Sequence, residues 1–147
     1  MEDLTREEKR ITRYICLQLL YSSEMSKEYK TKDLLNNFFK GINALFENIT
    51  KAQISYIEKL YKVTIDNKKE VDNIIKDKLN NWDMKRVAAI DKAILRMSIS
   101  EMLFIDEIPP KVSITEGVEI AKVFSTDDSS SFVNGILDAV YNKTYKK

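Results

Sequence analysis

Cationic and aromatic side chains recur at helical spacing near the amino terminus. Arg6, Lys9, Arg10 and Arg13 fall within a sector of about 100° on a helical wheel and form one basic stripe. Tyr21 follows on the flank of the stripe, and Gln18 lies between the stripe and the apolar side. Cations bind phosphate, whereas a ring or an amide can stack on or read an unpaired base. The alternative is an ordinary solvated helix face, because two glutamates lie in the same turn.

One acidic residue stands in an apolar setting. On a helical wheel, Asp91 lies beside Val87, Ile94 and Leu95. An ionised carboxylate in such a sector is costly unless it meets a partner. Two interpretations of Asp91 stay open. It forms an ion pair with an Arg or Lys of another helix, or it contacts a second molecule.

Few residues are suited to catalysis or to metal binding. Histidine is absent, and the single cysteine, Cys16, lies in an apolar run that is typical of a buried structural thiol. The carboxylate pairs Glu116/Glu119 and Asp127/Asp128 have no histidine, Gly-rich loop or third converging ligand beside them. The sequence therefore predicts neither a metal site nor a catalytic site, and it indicates no cofactor.

Composition predicts an all-α protein with a single domain. The chain has 147 residues, enough for one continuous core, and contains only three glycines and two prolines. Such a scarcity of turn-forming residues favours helices. No apolar run reaches the roughly 18 residues of a membrane span, and the acidic start is unlike a signal peptide. We expect a soluble, cytoplasmic protein whose net charge of +1 does not by itself indicate nucleic-acid binding.

Apolar residues recur at three- and four-residue intervals and predict seven helices. The first begins after a capping box at Thr5–Glu8, and the fifth, capped by Asp83, is apolar almost all round and so belongs in the centre of the bundle. The predicted segments are about Arg6 to Glu24, Thr31 to Asn48, Lys51 to Asp66, Lys68 to Asn80, Met84 to Ile105, a sixth starting with the capping box Ser113–Glu116, and a seventh following Asp127 and Asp128.

The last two predicted helices are separated by a polar loop from Ser125 to Ser131. The simplest interpretation is a capped turn, because Asp127 and Asp128 favour the positive end of the following helix. Gly117 and Gly135 replace side chains on the inward faces of these helices and predict close helix approaches. The basic segment from Lys143 to Lys147 is expected to fray.

Three segments resemble a known family. "RYICLQLLYSSE" near the amino terminus, "RVAAIDKAILRMSISEMLF" and "IPPKVSITEGVEIAKVFSTDDSSSFVNGILD" are similar to the transcription antitermination factor NusB family. The match is strong from about Arg86 to Asp138 and weaker but in register from Arg6 to Glu24. The resemblance implies a single NusB-like domain, residues 1–147, of about seven helices in two packed subbundles.

The resemblance also implies a binding protein and not an enzyme. Family members bind the boxA segment of nascent RNA together with a ribosomal protein, NusE, in an RNA polymerase antitermination complex with other Nus factors. They act notably on ribosomal RNA operons. They bind no cofactor and do not associate with a membrane, and they occur as monomers or homodimers. With the spacing above, this predicts RNA contacts by Lys9, Arg10, Arg13, Gln18, Tyr21, Lys111, Ser129 and Phe132. It predicts partner contacts by Asp91, Glu101 and Asp128.

Two other functions stay open. The same helical domain resembles the amino-terminal part of some ribosomal RNA cytosine methyltransferases. The 147 residues contain no cofactor-binding domain, so that function would need a separate methyltransferase chain. A purely protein-binding helical adaptor would have no RNA affinity even with NusE present.

Overall fold

The described part of the chain is entirely helical. The structure is a computed structural model, and it describes residues 4–28, 40, 48–80 and 83–146. These residues form six α-helices, one 3-10 turn and no strand, which confirms the predicted all-α class. The helices are α1 (Arg6–Ser26), α2 (Lys51–Asp66), α3 (Lys68–Lys78), α4 (Ala89–Phe104), α5 (Pro110–Phe124) and α6 (Asp127–Tyr145). The helix predicted from Thr31 to Asn48 lies outside the described residues at almost every position.

The chain divides into two compact units, Met1–Tyr61 and Lys62–Lys147. In the first unit, α1 begins with the predicted capping box. The Glu8 N–H donates to Thr5 Oγ1 and the Thr5 N–H donates to Glu8 Oε1, each over 3.0 Å. Cys16 is fully buried, as expected of a structural thiol. None of the helices in the described ranges is long and apolar enough to cross a membrane.

In the second unit, α4 is the central helix. It packs against α3, α5 and α6, and every residue from Ala93 to Met102 is buried. This confirms the position predicted from its apolar sequence. Arg96 is a charged residue within this buried stretch. Its guanidinium is nearly buried and forms two hydrogen bonds to the Asp72 carboxylate of α3.

The start of α4 differs from the prediction. Asp83 caps only a 3-10 turn, Met84–Arg86, by accepting a hydrogen bond from the Lys85 N–H over 3.0 Å. Val87 then adopts an extended backbone, with φ −72° and ψ 130°, and its side chain is buried. The helical pattern is interrupted there because Val87 reaches the core from an extended conformation, and α4 begins at Ala89.

The start of α5 also differs, because Ser113–Glu116 is not a capping box. The helix begins at Pro110, whose missing N–H costs nothing in a first turn. The Ser113 hydroxyl donates instead to Glu101 Oε1 over 2.8 Å, and Glu116 is buried. The buried Glu101 carboxylate thus binds the Ser113 hydroxyl that the local pattern assigned to a cap.

The predicted polar loop is mostly helix. Only Ser125 and Thr126 lie between α5 and α6, and the predicted loop residues from 127 onward form the first turns of α6. Thr126 is the cap, because its Oγ1 accepts a hydrogen bond from the Ser129 N–H over 3.0 Å. At the other end, α6 continues to Tyr145, so most of the segment expected to fray is helical.

The two helical glycines have different surroundings. A Cβ atom on Gly117 would lie 2.6 Å from Ser98 Oγ and 2.9 Å from Leu137 Cδ1, which confirms the predicted close approach. A Cβ atom on Gly135 would meet nothing within 4 Å, so the prediction for that position was wrong.

We expect Gly117→Ala to be less stable than Gly135→Ala by about 1–3 kcal/mol, the usual cost of overpacking a core. Both substitutions gain the same helix propensity, about 1 kcal/mol, so their difference isolates the clash. Urea denaturation followed by circular dichroism measures it. Equal free energies of unfolding for the two variants would show that Ser98 and Leu137 move aside without cost.

Candidate functional site

The clearest candidate contact lies where the first turns of α4 and α6 meet, and we call it the Asp91–Ser129 junction. The Ser129 hydroxyl donates to Asp91 Oδ2 over 2.8 Å, while the Thr126 cap holds the Ser129 N–H. Of the two interpretations of Asp91, the ion pair is not formed, because among the described residues a serine hydroxyl and no Arg or Lys side chain contacts the carboxylate.

The second oxygen of Asp91 has an unusual environment. The residue is only 5% exposed, and its Oδ1 is buried without a hydrogen-bond partner in the described structure. A buried acceptor left without a donor costs about 1–3 kcal/mol. Within the described residues, one acceptor position of the Asp91 carboxylate is therefore unused.

The basic stripe of α1 is narrower than the helical wheel indicates. Lys9 and Arg10 are half-buried, but Arg13 is only 2% exposed. Gln18 is exposed and Tyr21 is 38% exposed, so both side chains can be reached from solvent. A helical wheel shows which residues share a face of the helix, but not which of them are buried. Arg13 shares the face of Lys9 and Arg10 but is buried in the core.

The other predicted residues are distributed over the second unit. Lys111 is exposed in the first turn of α5, beside the Tyr141 ring near the end of α6. Asp128 is exposed and Phe132 is half-buried in the first turns of α6. Ser129 and Tyr141 are separated by about 18 Å at the helical rise of 1.5 Å per residue. The structure thus brings Asp91 and Ser129 together but keeps Lys111 apart from them.

Comparison with known proteins shows which family this chain belongs to. The model of the NusB family matches residues 10–142. The chain belongs to the NusB family. All of the predicted site residues except Lys9 lie within the matched range.

Individual relatives agree with this assignment. The chain is 43% identical to the "Transcription antitermination protein NusB" of Chloroherpeton thalassium over 142 residues, 95% of this chain, and spans 64% of that relative's length. It is 35% identical to the protein of the same name from Syntrophus aciditrophicus over 147 residues, 100% of this chain and 87% of the relative.

A solved structure shows the same fold. A crystal structure of the antitermination factors NusB and NusE in complex with dsRNA superposes with a TM-score of 0.79 and 21% identity, covering 95% of this chain and 99% of that one. The all-helical NusB-like architecture expected from the resemblance is therefore confirmed.

Some features of this NusB-family chain were not anticipated. Glu101, predicted to contact a partner, is 1% exposed and accepts the Ser113 hydrogen bond, so it joins α4 to α5 in the interior. The Tyr141 ring lies near Lys111, and the Tyr145 ring packs against that of Tyr141. Their spacing of four residues on a helix was a signal for this pair in the sequence.

Proposed function

We propose that this chain is a transcription antitermination factor that binds boxA-type RNA together with NusE. In this role it supports processive transcription of ribosomal RNA operons as part of an RNA polymerase antitermination complex. Membership of a family whose members are named for antitermination supports the proposal. The structural observation that carries it is the buried Asp91 oxygen that accepts no hydrogen bond from the described residues.

The Asp91–Ser129 junction is the proposed contact with NusE. A basic side chain of the partner would donate to Asp91 Oδ1, which binding would have to uncover, while Ser129 keeps its bond to Oδ2. Hydrogen bonds to charged groups are among the stronger polar contacts, about 1.5–3 kcal/mol each. Asp128, exposed in the same first turn of α6, extends the acidic character of this surface.

RNA binding is proposed for Lys9, Arg10 and Lys111, with Gln18 and Tyr21 beside the α1 cations. Glu7 and Glu8 lie among these cations and reduce the local positive potential. Phosphate contacts dominate affinity for nucleic acids. We therefore expect weak RNA binding by the chain alone and tighter binding when NusE adds its own contacts.

A three-component titration of this chain, NusE and a single-stranded boxA-type RNA tests the proposal. The expected result is a ternary complex with higher RNA affinity than either protein has alone. Binding of NusE without any RNA affinity would favour a purely protein-binding adaptor. RNA binding that NusE does not affect would favour a domain that acts with a separate methyltransferase chain.

The double variant Lys9→Ala/Arg10→Ala should weaken RNA binding and flatten its salt dependence. Each lost contact with a single strand lowers the slope of log affinity against log salt by about 0.7. Two contacts thus predict a change of about 1.4. Arg13 is left in place because it is buried and its removal would threaten the fold.

The matched control is Lys51→Ala/Lys59→Ala, which removes the same charge from exposed positions of α2. Fluorescence anisotropy at four or more salt concentrations gives both slopes. The stripe is excluded as an RNA contact if the two double variants have the same slope.

A further inference from the structure

A lysine and two tyrosines form a cluster where the start of α5 meets the end of α6. Lys111 Nζ lies 5.7 Å from the centroid of the Tyr141 ring. The Tyr141 and Tyr145 ring centroids are 5.2 Å apart, with their planes inclined by 37°. We call these three residues the Lys111 cluster.

The positive charge of the Lys111 cluster is available to a ligand. Lys111 is exposed, and its ammonium contacts an aromatic ring and no carboxylate among the residues that the structure describes. A cation–π contact at an exposed site is worth only about 0.5–1 kcal/mol and leaves the charge itself in place. An anion such as a phosphate can therefore approach it.

The exposed ring of the cluster is held in position. Tyr145 is 42% exposed, yet its hydroxyl donates to the Met102 carbonyl oxygen over 3.0 Å. Burial of the hydroxyl, with the Asp106 carboxylate and Tyr141 adding to it, raises the pKa of Tyr145 above its ordinary value. The phenol stays protonated and uncharged at neutral pH, so it does not repel a phosphate. A ring that is already ordered loses little entropy when a base stacks on it.

We propose that the Lys111 cluster is a stacking site for an unpaired RNA base. The base stacks on the exposed Tyr145 ring, the tilted Tyr141 ring packs beside it, and Lys111 pairs with an adjoining phosphate. This inference rests on the proposed function and adds two tyrosines to it. Aromatic rings beside a cation are the usual means by which proteins hold single strands without reading their sequence.

The test measures RNA affinity of the full chain in the presence of NusE, with Tyr145→Leu and Tyr145→Phe. The probes are a single-stranded boxA-type RNA and derivatives with one abasic nucleotide at each position in turn. Tyr145→Leu should weaken binding of the intact RNA roughly 5- to 150-fold, the range of base–aromatic stacking. Tyr145→Phe should weaken binding much less than Tyr145→Leu, because it keeps the ring and loses only the hydrogen bond that orders it. At one abasic position, Tyr145→Leu should cause no further loss.

Lys111→Met provides a second measurement at an exposed position, where the apolar stem of the side chain is kept. It should reduce the salt slope by about 0.7, as for one phosphate contact with a single strand.

Three outcomes overturn the inference. If wild type binds the RNA and Tyr145→Leu binds equally well, the stacking site is wrong while the proposed function stands. If Tyr145→Leu weakens NusE binding in the absence of RNA, the cluster is a protein contact. If wild type binds no RNA with or without NusE, the proposed function fails together with the inference.

Discussion

Replacing Asp91 with asparagine is expected to weaken NusE binding by about 2–5 kcal/mol, the usual cost of removing one partner of a buried charged hydrogen bond. The stability of the free chain should change little. The two properties respond differently because one Asp91 oxygen is unpartnered in the described structure and would be bonded only in the complex.

The asymmetry follows from the two oxygens of Asp91. Asparagine keeps an oxygen that can accept the Ser129 hydroxyl, which now contacts Oδ2 over 2.8 Å. It removes the charge whose other oxygen, Oδ1, is buried without a partner in the described structure. Asparagine places an amide NH2 where that oxygen was, so the free chain loses a buried charge but gains an unpartnered donor, and its stability should change little. The complex would lose the acceptor that the donor of NusE needs.

Isothermal titration calorimetry gives the affinity, and thermal denaturation gives the stability. The matched control is Asp127→Asn, which makes the same change of charge at an exposed position in the first turn of α6. It should leave NusE affinity close to that of wild type. Normal NusE binding by Asp91→Asn, together with a lower melting temperature, would identify the carboxylate as a purely structural group.

The second large effect is expected at Arg96, which joins α4 to α3. Its Nε donates to Asp72 Oδ1 over 2.7 Å and its Nη2 donates to Oδ2 over 3.1 Å. The two side chains are only 11% and 17% exposed, so neither is well solvated. Arg96→Met keeps the apolar stem but leaves the carboxylate without its main partner. We expect the free energy of unfolding to fall by about 3–5 kcal/mol.

Lys68→Met is the matched control, because Lys68 Nζ lies 3.9 Å from the same carboxylate and is more exposed. A pair of that kind contributes about 0.2–1 kcal/mol. Adding Asp72→Leu to Arg96→Met should restore most of the lost stability, since an apolar pair can replace a buried ion pair. Urea denaturation of the four proteins separates the contributions, and equal losses for Arg96→Met and Lys68→Met would contradict this account.

The sequence was most informative where structure depends on neighbouring residues. The Thr5–Glu8 capping box and the central apolar helix are local patterns, and both are present. Ser113 has the same local signal as Thr5, but its hydroxyl donates to the buried Glu101. That choice depends on a residue of another helix, which no local pattern contains.

The sequence singled out individual residues of the candidate site but not their partners. Asp91 stood out because a carboxylate in an apolar sector requires a partner, but Ser129 lies 38 residues away and could not be chosen among many hydroxyls. Arg13 was misplaced because a helical wheel does not show the depth of the core. The family resemblance supplied RNA and NusE, which composition and spacing could not name.

The short connection between α5 and α6 bears on how the second unit folds. Only Ser125 and Thr126 join the two helices, so closing this hairpin costs little chain entropy. Contacts between helices so close in sequence favour fast folding. The hydrogen bond from the Ser129 N–H to Thr126 Oγ1 also joins residues that are close in sequence. The hydrogen bond from the Ser129 hydroxyl to Asp91 instead closes a much longer loop. One half of the Asp91–Ser129 junction is thus encoded by adjacent residues, and the other half depends on the docking of α4.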